Sequence, residues 1–309
     1  SGRTQQIKLQ DQLSGTVPCS RGVPQGSVLG PLLFVIYTAD VKSTMPPDVA
    51  DQEFADDIAL DCSNACPKQV CESLSSAVTN LAKWLDDIGL LLNAQKTQVL
   101  FVKPRGGADV QEHVRCRGQP LEATTSAKYL GVVIDNDLSW QPHISHVTRK
   151  IGPVIGQLWR HGRSLSLRAR QVWYVSMIQA HLSYGSNCFF SSLSKQLLDK
   201  LHRLSKSGVR ATLQQRTLVP TAPLLELLGV PSLPQLLFQK LAIFVFKCLN
   251  DKTSPLLKNL FVPINDPATP QLRTTRGQVS SLLRVPFLPG PAGRRSIQFV
   301  SNILWNALP

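Results

Sequence analysis

Acidic residues nearly vanish from the second half of this 309-residue chain. Residues 141–309 hold 4 Asp and Glu against 21 Lys and Arg, a local excess of +17 within an overall net charge of +13. The first 140 residues are the reverse, with 16 acids against 12 bases. Such asymmetry suggests a polyanionic partner for the second half, although a plain, well-solvated basic helical surface would give the same count. A membrane partner is disfavoured, because no short basic cluster stands opposite an aromatic stripe. Long apolar runs are missing too. The most apolar late stretch, LLFQKLAIFVFKCL, is interrupted by Lys240 and Lys247 and is too short to span a bilayer. No charged-then-apolar leader precedes the first polar segment. The chain therefore reads as soluble and intracellular, and as a piece of a longer product. None of the seven cysteines forms a C-x-x-C pair. Cys62, Cys66 and Cys71 cluster, yet no histidine lies near them to complete a zinc knuckle, so ordinary reduced thiols are expected. Hydrophobic content of 43% argues against disorder.

What is present changes character along the chain. Residues 3–9 and 15–21 read as two strands around a polar turn. Gly22, Pro24 and Gly26 then force a sharp loop. Ser27 is placed to cap a helix, with Pro31 near its start and Leu29, Leu32, Leu33, Ile36 and Tyr37 forming an apolar side. A strand-like stretch follows at Phe54–Leu60. Next, Leu74, Val78, Leu81, Leu85 and Ile88 step by 4, 3, 4 and 3, an amphipathic helix that Gly89 can end. TQVLFV is rich in β-formers, and KYLGVVI reads as another short strand region. From about His143 the pattern turns helical, with one helix interrupted near Gly152 and Pro153. From about Ser254 the tail looks irregular. The expected class is α+β, in three parts: a mixed unit over 1–140, basic helices over 141–253, and an irregular extension over 254–309.

The acid pair Asp56–Asp57 is the oddest local feature. Adjacent strand residues point to opposite faces, so the two cannot share one buried face, and burying even one charge is costly without a partner. An exposed turn would accommodate both, since Asp is a good turn former. Clustered carboxylates at a hairpin also suit a hard divalent cation, which takes oxygen ligands.

Taken together and in order, RGVPQGSVLGPLLF at Arg21–Phe34, FADD at Phe54–Asp57, LAKWLDDIGLLLNAQKTQVLFV at Leu81–Val102 and YLGVVID at Tyr129–Asp135 resemble four successive blocks of non-LTR (LINE-type) retrotransposon reverse transcriptases. They resemble motifs B, C, D and E of the polymerase palm. The ending SNILWNALP resembles the family's WN-x-LP close. The resemblance implies a partial palm of antiparallel sheet with helices, followed by a helical thumb. It implies RNA-directed DNA polymerase chemistry on an RNA template, a DNA primer or target, and dNTPs, with Mg²⁺ or Mn²⁺ as cofactor. Asp56 would be the direct metal ligand and Asp57 the supporting acid. Gly22, Pro24, Gln25, Gly26 and Ser27 would lie against template and incoming nucleotide. Lys96 would offset charge on, or protonate, the leaving pyrophosphate, with Asn93 shaping its turn. Tyr129, Leu130 and Gly131 would grip the primer. Arg149, Lys150, Arg160, Arg163, Arg168 and Arg170 would follow the nucleic-acid backbone. The implied setting is a ribonucleoprotein in nucleus or cytoplasm, within a polypeptide that also carries fingers and endonuclease regions.

One expected element is absent from these 309 residues: motif A, with its Asp-x-Lys-Ala-Phe-Asp pattern and third metal acid. Asp11, the one acid before the loop, sits in a turn setting and is a poor substitute. The chain alone is therefore expected to polymerise little or not at all. A competing expectation is a catalytically inactive nucleic-acid-binding remnant that uses the basic half.

Overall fold

The computed structural model describes residues 2–19, 22–23, 26–103, 110–215, 219–263, 282–286 and 296–308. The protein is α+β and divides into two compact units. The first holds the described residues up to Phe101 together with 110–124. The second holds Val102 and Lys103 and everything from Thr125 onward.

In the first unit, β1 (Thr4–Gln5) pairs antiparallel with β4 (Val17–Pro18), and β2 (Lys8–Leu9) with β3 (Gln12–Leu13). The turn between β2 and β3 passes through Gln10 at φ 54° and Asp11. Helix α1 (Gly30–Thr38) follows. It begins after Leu29, not after Ser27, whose carbonyl merely accepts from the Gly30 amide at 3.4 Å. Pro31 lies in the first turn, where its missing N–H costs no helical bond. The expected one-sided apolar face is wrong as well. GPLLFVIYT is apolar nearly all round, and Leu32, Leu33, Val35, Ile36 and Tyr37 are each about half exposed. Its tie to the rest of the unit is a 2.5 Å hydrogen bond from the Tyr37 hydroxyl to the Ile88 carbonyl.

Strands β5 (Ala50–Phe54) and β6 (Asp57–Asp61) form a hairpin, and α2 (Pro67–Asp87) lies beneath it. The apolar stripe read from the sequence is the buried one: Val78, Leu81 and Leu85 are within 8% of full burial, and Ile58 and Leu60 of β6 pack onto the same clusters. Gly89 ends the helix as expected. It sits at φ 77°, with its amide on the Asp86 carbonyl and the Leu90 amide on that of Leu85. These two bonds are the paired links of a Schellman close. Strand β7 (Gln98–Leu100) runs parallel to β10 (Glu122–Thr124), while β8 (Arg115–Cys116) and β9 (Gln119–Pro120) form a small antiparallel hairpin on α2. Cys71, the last of the three clustered cysteines, is a core residue beside Val114, Cys116 and Leu121, and burial pushes its thiol up.

The second unit opens with a hairpin, β11 (Ser126–Tyr129) and β12 (Val132–Asp135), and continues as helices. The buried Asp135 carboxylate accepts from the Ser139 and Trp140 amides, both at 2.9 Å, and so starts α3 (Gln141–His161). This helix runs unbroken through Pro153, contrary to the expected interruption. Ile144, Val147, Ile151, Ile155 and Leu158 are buried on both sides of the proline. Their packing outweighs its cost of about 3 kcal/mol. Then come α4 (Leu167–Trp173), a π-helical segment at Tyr174–Gln179, α5 (Ala180–Ser183) and α6 (Ser186–Phe189). Helix α7 (Lys195–Leu213) crosses α3 and the π segment closely. A Cβ at Gly208 would stand 3.1 Å from the Tyr174 ring. Helices α8 (Thr221–Leu228), α9 (Leu233–Leu249) and α10 (Pro255–Lys258) complete the order to residue 258.

The stretch after Ser254 is less irregular than it reads, because Ile297–Asn306 is a helix packed against α9. Ser296 caps it at the Phe299 amide. The Asn306 side chain donates to the Leu283 carbonyl and accepts from the Leu283 amide, both at 2.8 Å. The asparagine of the WN-x-LP ending thus closes a two-way peptide-like clamp. Among the described residues no single helix is long and apolar enough to cross a membrane; α8 and α9 would reach that length only as a pair bent by 55°.

Candidate functional site

The hairpin geometry answers why two acids stand side by side. Phe54 pairs with Asp57 across a two-residue turn formed by Ala55 and Asp56, with Ala55 at φ 56°. Ile58 and Leu60 face α2, so period-two alternation sends Asp57, Ala59 and Asp61 to the other face. Asp56 belongs to the turn itself. Both carboxylates are exposed, which avoids the burial cost. Among the described residues no hydrogen bond or ion pair occupies either one. On β5, Glu53 is pushed up, first by burial and then by the neighbouring Asp51 charge.

Oxygen donors at one tip are right for a hard divalent ion, which needs anionic ligands and retains several waters. Yet the described residues gather no third Asp, Glu, His or Cys into a metal-sized group. The pair fits part of a two-metal centre and leaves the rest unsupplied.

The other first-unit residues are laid out on separate loops. Gly22 and Gly26 sit at φ 81° and 82°, and a Cβ on either would meet nothing within 4 Å. They are required by backbone conformation and leave open space beside the chain. Ser27 is half-buried and lies before α1, while Pro24 and Gln25 lie outside the described residues. Lys96 is exposed in a turn that Asn93 builds: its amide meets both the Asn93 backbone carbonyl and side-chain oxygen, at 3.1 and 3.2 Å. Asn93 is thus the turn former expected of it.

Tyr129, Leu130 and Gly131 belong to the second unit with the helices, although the sequence reading groups them with the acids. Leu130 and Gly131 form the β11–β12 turn, at φ 45° and 84°. The loop after α5 holds it: the Tyr184 hydroxyl donates to the Leu130 carbonyl at 2.7 Å, and a Cβ on Gly131 would stand 3.1 Å from the Tyr184 ring. Gly185, at φ 63°, leaves room for Val132, whose Cγ2 would be 2.8 Å from a Cβ there. Sequence reasoning missed Tyr184 and Gly185. The Tyr-Gly pair before α6 is the one local signal that marks them, as a left-handed stop.

The basic residues divide by use. Arg149, Lys150, Arg160, Arg163 and Arg168 are exposed. Arg149 and Arg160 are three helical turns apart on α3 and share a face. Arg170 is half-buried and donates to the Thr212 carbonyl at 2.6 Å, so it ties α4 to the end of α7. Trp159, Trp173 and Tyr174 pack on or in the main core, as expected.

Residues 4–134 match the family described as reverse transcriptase (RNA-dependent DNA polymerase), a span that contains the loop, the acid hairpin, the Lys96 turn and the 130–131 turn. Over this span the chain is similar to reverse transcriptases, and the relatives it resembles are named for retrotransposons. It is 32% identical over 199 residues to a probable RNA-directed DNA polymerase from transposon BS of Drosophila melanogaster, covering 62% of this chain and 22% of that protein. It is 25% identical over 284 residues to the RNA-directed DNA polymerase from mobile element jockey of the same species, covering 89% of this chain and 30% of the relative. A retrovirus-related Pol polyprotein from type-1 retrotransposable element R1 of Nasonia vitripennis is 22% identical, over 67% of this chain and 64% of its own length. The chain spans less than a third of the BS and jockey proteins. Reverse transcriptases as a family depend on divalent metal.

Proposed function

We propose that this chain supplies the second part of an RNA-directed DNA polymerase centre, acting on an RNA template, a DNA primer or target, and dNTPs. The observation that carries it is the exposed, unpaired Asp56–Asp57 tip inside a reverse transcriptase segment. A pair of Mg²⁺ or Mn²⁺ ions held there would lower the charge on attacking and leaving oxygens. Asp56, at the turn, offers the ligand carboxylate, and Asp57 flanks it. Ile58 and Leu60 anchor the strand so that the tip is held without its own charges being buried. Gly22 and Gly26 let the loop backbone approach a flat base pair. Lys96, presented by the Asn93 turn, places a cation for developing pyrophosphate charge. The 129–131 turn and the exposed cations of α3 contact strand phosphates. The partner polypeptide regions are fingers and an endonuclease.

Among the described residues no third carboxylate joins Asp56 and Asp57, so the chain alone should give no Mg²⁺-dependent dNTP incorporation on a primed RNA. Fused behind the upstream polymerase segment of the jockey relative, it should incorporate, and Asp56→Asn should lower the rate by about 10³-fold or more. Incorporation that survives Asp56→Asn, or that the isolated chain performs, refutes the assignment. A remnant that only binds nucleic acid would show salt-dependent RNA binding and no rescue by the fusion.

A further inference from the structure

The β11–β12 hairpin is tied to the rest of the second unit at its base, its middle and its tip. At the base, the Asp135 carboxylate holds the Ser139 and Trp140 amides. At the tip, the Tyr184 hydroxyl donates to the Leu130 carbonyl. In the middle, the Val133 amide donates to His143 Nδ1 of α3 at 3.3 Å. The strand ladder leaves that amide to a side chain. The Asn136 amide donates to the Thr125 carbonyl at 3.0 Å, so bonded pairs alternate at 125–136, 127–134 and 129–132. Val133 pairs with Lys128 between two of these, and its N–H points out of the ladder toward α3.

An Nδ1 that accepts leaves the hydrogen of the neutral ring on Nε2. A second proton must go to Nδ1 itself. Both ring nitrogens are then donors, and the Val133 N–H faces a donor in place of an acceptor. The added charge is also poorly placed. His143 is 2% exposed and packs on the Phe189 ring at 4.8 Å between centroids. With His146 and Lys150 of α3 and His181 of α5, it lines a cavity of about 280 Å³ beside Gly131 and Tyr184. The charged neighbour acting on His143 is His146, on which Lys150, Lys128, Arg149 and His181 act in turn. The carboxylates of the surrounding elements are occupied elsewhere or exposed. Asp135 serves the start of α3, Asp137 is exposed, and Asp199 of α7 is exposed and acts on His202. None of them offsets a charge on His143.

We propose that His143 is an acid-sensitive latch: protonation of its ring releases the β11–β12 hairpin, and with it the Leu130–Gly131 turn, from α3, while the helical core stays folded. The core does not hang on this bond, because Ile151, Ile155 and Leu158 of α3 are buried in the main cluster with residues of α7 to α9. The direction follows from the surroundings. Burial, and then the His146 charge, hold the His143 ring less basic than an ordinary histidine. The latched state therefore has its full stability above the ordinary histidine midpoint of about 6.5, and loses it as pH falls below that toward the lowered value. Acid would thus withdraw the turn from strand contact. That consequence rests on the polymerase reading; the latch itself does not.

The test combines amide hydrogen exchange and histidine ring NMR on the full 309-residue chain, between about pH 7.5 and 5.5. Corrected for intrinsic exchange, protection of the Val133 amide should fall about tenfold, the ratio for one ring that takes up its proton only when released. The Ile151 and Leu158 amides should keep their protection. The His143 ring should titrate with a midpoint below about 6.5. His143→Asn keeps a side-chain carbonyl near the place of Nδ1 and cannot titrate, so its Val133 protection should change by about threefold or less. If that variant does not fold, Tyr184→Phe serves in its place. It removes the tip bond alone, and should lower hairpin protection at both pH values while keeping the tenfold ratio at Val133. Val133 protection that ignores pH, a fall shared by the α3 amides, or a ring midpoint above about 6.5 overturns the latch. So does a tenfold fall that persists in His143→Asn, or a ratio lost in Tyr184→Phe. No measurement here uses nucleic acid or Asp56, so failure of the latch and failure of the polymerase assignment are distinguishable.

Discussion

The two units solve packing differently. The second gathers seventeen buried residues into one cluster across α3, the π segment and α7 to α9. The first has two small clusters, both built on α2, and leaves the apolar α1 bare. A helix that is apolar all round belongs in an interior. The residues with readable chemistry, Asp56, Asp57, Lys96 and the glycine loop, stand on the unit that does not cover its own apolar surface. The residues with readable electrostatics stand on the unit that does. The comparison teaches that the chemical unit is organised for company, and the basic unit for folding by itself.

The largest effect that would sharpen this contrast is a cavity in the second core. Leu201 of α7 is fully buried in the main cluster. Leu201→Ala should cost about 3 kcal/mol, from lost burial plus an unfilled void. Hydrogen exchange should show the loss across α3 and α7 and leave the amides of α2 unchanged. A loss shared equally by α2 would mean that the two units unfold as one, and the contrast would fail.

A middle-sized effect compares glycines that share a left-handed backbone but differ in company. Gly22, at φ 81°, has open space around it; Gly185, at φ 63°, has Val132 against it. Gly22→Ala should cost about 1 kcal/mol, for backbone conformation alone. Gly185→Ala adds a clash and should cost about 2–3 kcal/mol, with exchange rising at the β11–β12 turn. Urea midpoints for the two variants check the order. Equal costs would mean that the second unit yields as easily as the first.

Much of this was legible in the sequence, unevenly and for physical reasons. The α2 stripe and its Gly89 stop were readable because burial of one face and the left-handed close both leave local signals. The acid hairpin was readable through its sequence block, not through strand periodicity. The continuity of α3 through Pro153 was not, since proline's penalty is local while the five buried residues that override it depend on α7. The final helix was hidden because its partner, Leu283, is held by Asn306 from 23 positions away. The nearness of His143 and His181 was illegible for the same reason: they are 38 residues apart and yet line one cavity of the second unit.

The smallest effect is the most telling. Leu32 and Ile36 are more than half exposed, although both are large and apolar. In a packed helix, Leu32→Gln with Ile36→Gln would be severe, since each aliphatic side chain contributes about 1.5–3 kcal/mol when buried. On α1 as this chain presents it, there is little burial to lose, and glutamine is a good helix former. The double change should therefore move stability by no more than about 0.5 kcal/mol. It should also reduce self-association, because it breaks a contiguous apolar patch. Calorimetry and sedimentation together decide it. A loss of 2 kcal/mol or more would show α1 covered in solution, and the first unit would then be as complete as the second.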